Sequence, residues 1–96
     1  MSDNLAAAEA ALQQKVAGKR FDGSVKFDIE DEGVLRVADG QVTRQDGEAD
    51  VTVLGDLDTF REIFEGDLSP TAAYMTGRIR IEGDLGQAMK LSALLG

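Results

Sequence analysis

The chain has 96 residues, of which 43% are hydrophobic and 29% are charged, and its formal net charge is −8. It contains no cysteine and no histidine, which excludes disulfides, thiolate nucleophiles, a Ser-His-Asp triad and the usual zinc sites. The acidic charge would repel a phosphate backbone, so nucleic acid is not an expected partner. The length predicts one domain over residues 1–96. With no signal-peptide start and no apolar run of about 18 residues, the sequence also predicts a cytoplasmic protein without stable membrane insertion.

The first predicted element is an amphipathic helix over residues 4–17. Leu5, Ala8, Leu12 and Val16 recur at spacings of three and four, which places them on one apolar stripe. Such a helix is expected to pack against another apolar surface of the protein, because an isolated helix would leave this stripe exposed to water.

After the first helix the hydrophobic period changes from 3.6 to 2, which predicts a sheet. In residues 25–30 the apolar and charged side chains alternate strictly, as in a half-buried strand. Asp39-Gly40 and Asp46-Gly47 are typical hairpin turns. The predicted strands of this part are residues 25–30, 34–37, 41–44 and 49–54.

The helical pattern returns at Asp56, which is placed to cap a helix that ends at Gly66. Leu57, Phe60, Ile63 and Phe64 share one face of it, so this helix also needs burial.

A short helix, a strand and a final helix are predicted after this point. Ser69-Pro70 begins the short helix, which runs to about Met75, because proline costs nothing in the first turn. Residues 78–82 alternate again as a last strand. Asp84 caps the final helix, whose apolar residues are Leu85, Ala88, Met89, Leu91, Leu94 and Leu95.

The acidic and glycine-rich segments suggest three kinds of functional site: a calcium loop, a phosphate loop and a pair of catalytic carboxylates. For each of them, a purely structural role explains the residues better. Residues 28–33 place a glycine as a calcium loop does, but glutamates replace the shorter ligands and strands flank the loop, so an acidic β-turn is predicted. Residues 83–86 lack the lysine of a phosphate loop and are predicted to be a strand-to-helix turn. The carboxylates lie on polar faces, so no catalytic residue and no metal site is assigned.

The segment from Leu68 to Leu91, LSPTAAYMTGRIRIEGDLGQAMKL, resembles the C-terminal signature of the sterol carrier protein 2 family, the sterol-binding domain. The likeness extends in order over nearly the whole chain, in the form of a small stand-alone member of bacterial type. The matching positions are Gly77, Arg78, Ile79, Arg80, Ile81, Gly83, Asp84, Met89, Lys90 and Leu91.

The resemblance implies an α/β (α+β) fold: a five-stranded, mostly antiparallel sheet in the order 3-2-1-4-5 with helices packed on one face. In that order a crossover separates the third and fourth strands, in conflict with a hairpin at Asp46-Gly47. We follow the resemblance on this point, because a turn dipeptide can also lie in a loop.

The resemblance further implies a non-catalytic protein that carries a sterol, fatty acid, acyl-CoA or other lipid in a hydrophobic tunnel, with no cofactor. The C-terminal helix is the candidate lid. An accessory module with a filled core, docking a partner enzyme of lipid metabolism, is the alternative, and a carboxylate enzyme comes third. The predicted lining of the tunnel is Phe27, Ile29, Phe60, Phe64, Met75, Ile79, Ile81, Met89 and Leu95.

Overall fold

The computed structural model describes residues 4–17, 23–38, 40–44, 46–84 and 86–90. The helices are α1 (Asn4–Val16), α2 (Leu57–Glu65) and α3 (Pro70–Met75), and residues 86–90 are also helical. The strands are β1 (Ser24–Ile29), β2 (Gly33–Ala38), β3 (Gln41–Thr43), β4 (Val51–Gly55) and β5 (Ile79–Gly83).

The five strands form one sheet in the order β3-β2-β1-β4-β5, which confirms the order implied by the resemblance. β1 pairs antiparallel with β2, and β2 with β3. β4 pairs parallel with β1 and antiparallel with β5. The chain must therefore cross the sheet between β3 and β4, from one edge to the far side of β1.

The hairpin prediction at Asp46-Gly47 is wrong, because β3 and β4 are not neighbours. The Asp46 carboxylate accepts hydrogen bonds from the backbone N–H of Gly47 at 2.8 Å and from Lys26 Nζ at 3.0 Å. The dipeptide thus makes a local turn that is held against β1. Nearby, Arg36 Nε donates to the carbonyl oxygen of Glu48 at 3.0 Å.

Alternation along the strands assigns the two faces of the sheet. On β1 the side chains of Val25, Phe27 and Ile29 are buried, while Lys26 lies with the half-buried residues between them. The buried set faces the helices, and Lys26 and Arg36 project from the opposite face. The crossover, held by these two basic residues, therefore lies over the face that carries no helix.

Helix α2 begins and ends as predicted. The Asp56 carboxylate accepts from the backbone N–H of Thr59 at 2.8 Å, which satisfies an otherwise unpaired donor of the first turn. Gly66 ends the helix in the left-handed region with a φ of 88°. Ser69 caps α3 in the same way, accepting from Ala72 N at 3.1 Å.

The acidic segment between β1 and β2 is a tight turn, as predicted. Its positive φ falls on Asp31 (64°), a residue type that tolerates this conformation. In the described part of the chain, no three acidic side chains come close enough together to hold a metal ion. Within the same residues, no helix combines the length and the apolar character needed to cross a bilayer.

Candidate functional site

An apolar layer between the helices and the sheet is the main interior feature of the described residues. It receives side chains from α1, α2, α3 and from β1, β2, β4 and β5. Among the described residues, the only polar or charged residue that is buried is Thr59, which is 1% exposed. A layer with so little polar content can offer a ligand dispersion and burial, but few hydrogen bonds.

Three phenylalanine rings fill the centre of the layer. The centroid of the Phe27 ring lies 5.6 Å from that of Phe60 and 5.3 Å from that of Phe64, and both pairs meet edge to face. Phe60 and Phe64 are stacked at 5.7 Å. Each distance lies within the range of favourable aromatic pairs, so the centre is packed with side chains.

Six of the nine predicted lining residues lie together in or against this layer. Phe27, Ile29, Phe60, Phe64 and Ile79 are buried, and Ile81 is half-buried against them.

The other three predicted lining residues are placed differently. Met75 and Met89 are 79% and 75% exposed. On α3, Ala73 faces the core, so Met75, two residues later, points away from it. Leu95 lies outside the described residues. The lining assignment as a whole stays a prediction.

Several residues of the layer were absent from the predicted lining. Val51 and Val53 of β4 lie on the same face as Phe27, because β4 is in register with β1. Ile63 and Ala73 are buried from the helix side. The alternation of apolar residues along β4 and the helical spacing of Ile63 both indicate that these residues are buried. Neither pattern distinguishes a residue that contacts a ligand from one that only fills the core.

The layer divides into two regions of different coverage. The central core is formed by β1, β2 and β4 under α1 and α2. The β5 side is formed by β5, α3 and residues 86–90. On the β5 side Ile81 and Ala88 are only partly buried. The large hydrophobic side chains that are exposed, Tyr74, Met75 and Met89, all belong to it within the described residues.

Asp50 joins the two regions at one end of the sheet. Its carboxylate accepts from the backbone N–H of Ser24 at 2.9 Å, and its own N–H donates to Ser24 Oγ at 3.1 Å. Its carbonyl oxygen accepts from the N–H of Asp84 at 3.0 Å. The Asp84 side chain in turn accepts from Gly86 N at 2.8 Å, which confirms the predicted cap. Asp50 therefore fixes where the helical residues 86–90 leave the sheet.

Two glycines make room for this junction. A Cβ on Gly83 would lie 2.5 Å from the carbonyl oxygen of Asp50, and one on Gly23 would lie 2.6 Å from its carboxylate. The Gln87 side-chain oxygen is also close to Gly23, and it is buried without a hydrogen-bond partner among the described residues.

Charged groups gather on the outer side of α2, away from the apolar layer. Arg78 pairs with Glu62, and this hydrogen bond is the main reason why the pKa of Arg78 is raised. The pair borders an open groove of about 440 Å³. The groove is lined by Asp58, Arg61, Glu62, Glu65 and Arg78.

The start of α2 holds a second perturbed group. The pKa of Asp56 is lowered, first by the Thr59 hydroxyl beside it and then by the Thr59 backbone N–H. That hydroxyl makes no hydrogen bond of normal geometry within the described residues. Both effects stabilise the charged form of the Asp56 carboxylate, which caps α2. This pKa shift therefore reflects a structural role of Asp56 and does not indicate a catalytic group.

Comparison with known proteins gives a family for nearly the whole chain. The model of the SCP-2 sterol transfer family matches residues 3–96. Hydroxysteroid dehydrogenase-like protein 2 of Bos taurus is 33% identical over 95 residues, which are 99% of this chain and 22% of that protein. The chain thus spans less than a quarter of the length of the curated relatives that it matches.

Solved structures agree on the fold. Sterol carrier protein 2 like 2 from Aedes aegypti superposes with a TM-score of 0.76 at 22% identity, covering 94% of each chain. Sterol carrier protein 2 of the same insect, solved in complex with the C16 fatty acid palmitate, gives a TM-score of 0.75 at 17% identity. That match covers 100% of this chain and 97% of the other.

Proposed function

The chain belongs to the SCP-2 sterol transfer family, and on that basis we propose that it binds and carries an apolar lipid without changing it chemically. The observation that carries this proposal is the apolar layer, which contains no charged side chain among the described residues. The palmitate complex of the Aedes aegypti protein supports a fatty acid as one ligand class. Residues 1–96 would act as one lipid-binding unit in the cytoplasm.

We place the ligand toward the β5 side of the layer. The three rings of Phe27, Phe60 and Phe64 fill the centre, so a chain-like ligand has to enter where coverage is thinner. Ile81 and Ala88 are partly buried there. Phe60, Phe64, Ile79 and Ile81 would then contact the ligand, with Phe27 and Ile29 beneath it, while Met75 and Met89 would stand at the rim.

Magnitudes are compatible with this placement. A ligand cavity of about 300 Å³, at about 24 cal/mol per Å³, would cost about 7 kcal/mol if left empty. That is as large as the whole stability of a small domain, about 5–15 kcal/mol. Burying about 14 methylenes of a C16 chain contributes about 11 kcal/mol at about 0.8 kcal/mol each. A site that closes when empty and opens around its ligand therefore fits these values.

The test is native mass spectrometry combined with a melting series against palmitate, palmitoyl-CoA and cholesterol. We expect a co-purified or added lipid at one per chain and a rise in the melting temperature, because a ligand that binds only the native state stabilises it. If no lipid is retained and no melting temperature shifts, the proposal is wrong.

A matched pair of variants locates the site. Ala88→Phe would fill the proposed binding space at the β5 side and should weaken binding of a fluorescent fatty acid about tenfold or more. Ala10→Phe makes the same change at an exposed position of α1 and should bind as the parent protein does. Equal affinities of the two variants would place the ligand elsewhere.

The accessory role remains the second candidate. The curated relatives carry this region within a much longer dehydrogenase-like protein, so a partner enzyme that supplies or receives the lipid is a reasonable expectation. A pull-down that yields one protein at fixed stoichiometry, from a chain without bound lipid, would favour this role over carriage.

A further inference from the structure

The outer edge of β5 ends the sheet on the side away from β3. Within the described residues no strand pairs with this edge. An unpaired edge leaves backbone N–H and C=O groups free to pair with another strand. The other edge strand, β3, is shorter, with three residues against the five of β5.

The pairing with β4 decides which residues of β5 direct their backbone groups outward. Asp84 N donates to the carbonyl oxygen of Asp50, and residues of an antiparallel pair alternate between bonded and non-bonded positions. Arg80 and Glu82 therefore direct their backbone groups toward β4. Ile79, Ile81 and Gly83 direct theirs to the open edge.

The side chains at this edge carry opposite charges two residues apart. Arg80 and Glu82 are both exposed and lie on the face of the sheet opposite the helices. Neither forms an ion pair with another described residue. When two identical strands with such a pair of charges run antiparallel, the positive charge of each strand can lie opposite the negative charge of the other.

We propose that the β5 edge binds the β5 edge of a second copy of this chain, in an antiparallel pair centred on Ile81. In that register Arg80 lies opposite Glu82 of the second copy, and Glu82 lies opposite its Arg80. The twofold axis thus creates two ion pairs at once. It also places Ile81 opposite the Ile81 of the second copy, on the helix side of a continuous ten-stranded sheet.

The backbone geometry agrees with this register. An antiparallel pair centred on Ile81 makes each Ile81 N–H donate to the Ile81 carbonyl of the other copy. These are the groups that point outward in the single chain. A shift by one residue would oppose Arg80 to Gly83 or to Ile81, and would lose both ion pairs.

The distribution of charge also favours this edge for an approach of two acidic molecules. Residues 70–96 contain three basic and two acidic side chains, so the acidic excess of the chain resides in residues 1–69. Two copies that meet at β5 bring together their least acidic parts. The strand contact is small, so we expect a weak dimer that forms as concentration rises.

Analytical ultracentrifugation of the full chain, from about 10 µM to about 1 mM, tests the proposal through charge reversal. Arg80→Glu and Glu82→Arg each turn both ion pairs into like-charge contacts and should raise the dimer dissociation constant about tenfold or more. The double variant R80E/E82R restores opposite charges and should dimerise as the parent chain does. Arg61→Glu makes the same charge change on α2 and should leave dimerisation unchanged.

Three results would overturn the proposal. They are a chain that stays monomeric over the whole range, a dimer that tolerates both single reversals, and a folded double variant that fails to recover association. Lipid binding is measured separately, so its absence in a chain that dimerises as described would leave this inference standing.

Amide hydrogen exchange gives a readout that needs no variant. The Ile81 amide, which points outward, should become protected as concentration rises. The amides of Arg80 and Glu82, already bonded to β4, should change little. Protection that does not depend on concentration at Ile81 would contradict the proposed pairing.

Discussion

The central core and the β5 side are built from the same kinds of residues but differ in how completely they are covered. In the central core the strand residues Val25, Phe27 and Val53 are at most 2% exposed beneath the two longer helices. On the β5 side a six-residue helix and the helical residues 86–90 leave Ile81 half-buried. One side therefore holds the fold together, and the other side can move at lower cost.

The apolar layer of a small lipid carrier has to stabilise the fold and also to leave space for a ligand. The difference in coverage assigns these two requirements to different regions. A binding space weakens the domain that contains it, because lost packing is a direct loss of stability. Packing the three phenylalanines into the central core, with the proposed binding space at the thinly covered β5 side, keeps the two requirements apart. Substitutions on the two sides should consequently differ in their effects.

The largest expected effect is on Phe27. Truncation by Phe27→Ala removes a ring in contact with both Phe60 and Phe64, and should lower the free energy of unfolding by about 3–5 kcal/mol. Met75→Ala, on the exposed face of α3, should change it by less than about 0.5 kcal/mol. Urea denaturation of both variants checks the contrast. Similar losses for the two would show that the β5 side is packed as tightly as the central core.

An intermediate effect is expected at the junction that joins the two sides. Gly83 and Gly77 both have positive φ, at 108° and 77°, so alanine is strained at either position. Only at Gly83 would the added Cβ also meet the Asp50 carbonyl oxygen, whereas the space at Gly77 is open.

Gly77→Ala should therefore cost about 1 kcal/mol, and Gly83→Ala about 1–3 kcal/mol more. Thermal unfolding measured by circular dichroism checks the difference. Equal costs would mean that the junction yields without resistance, and that Asp50 does not fix residues 86–90.

A small effect that depends on pH is expected at the boundary between β4 and α2. The folded-state pKa of Asp56 is lowered, so its contribution to stability is present above its usual pKa of 3.8 and is lost as the pH falls through the folded-state pKa. Asp56→Ala should cost about 1 kcal/mol at pH 7. That cost should shrink below about pH 4, as the parent carboxyl becomes protonated.

Urea midpoints at pH 7 and pH 3 test this expectation, with Asp56→Asn as the control. The asparagine keeps an oxygen for the Thr59 N–H, so its cost should stay small and vary little with pH. A cost for the alanine variant that is the same at both pH values would show that the charge of Asp56 is irrelevant to the cap.

The helix ends and strand faces were predictable because they depend on local chemistry. Asp56, Gly66 and Ser69 act within a few residues of their own positions, and the alternation around Phe27 reports directly which face is buried. The strand order was not predictable from local pattern. Asp46-Gly47 makes a turn in either topology, and only the packing of β4 along β1 decides between them.

The candidate site lies between these cases. Apolar spacing correctly brought Phe60, Phe64 and Ile79 into one layer, since burial of such faces is what drives folding. Met75 and Met89 belong to short helical segments, where spacing does not determine which face meets the core. Their exposure follows from how α3 and residues 86–90 are docked, and for residues 86–90 the docking depends on a distant group, Asp50.

The crossover between β3 and β4 also has a consequence for the order of folding. β1, β2 and β3 form a meander of sequence neighbours that closes only short loops, whereas β4 must find β1 across about 25 residues of chain. The meander can thus form early, with β4 and then β5 added to it. Because β5 joins the sheet only through β4, we expect it to open at a lower free energy than the meander, as a peripheral unit. A lipid could therefore enter and leave through partial unfolding of the last strand to join, without exposing the rest of the protein.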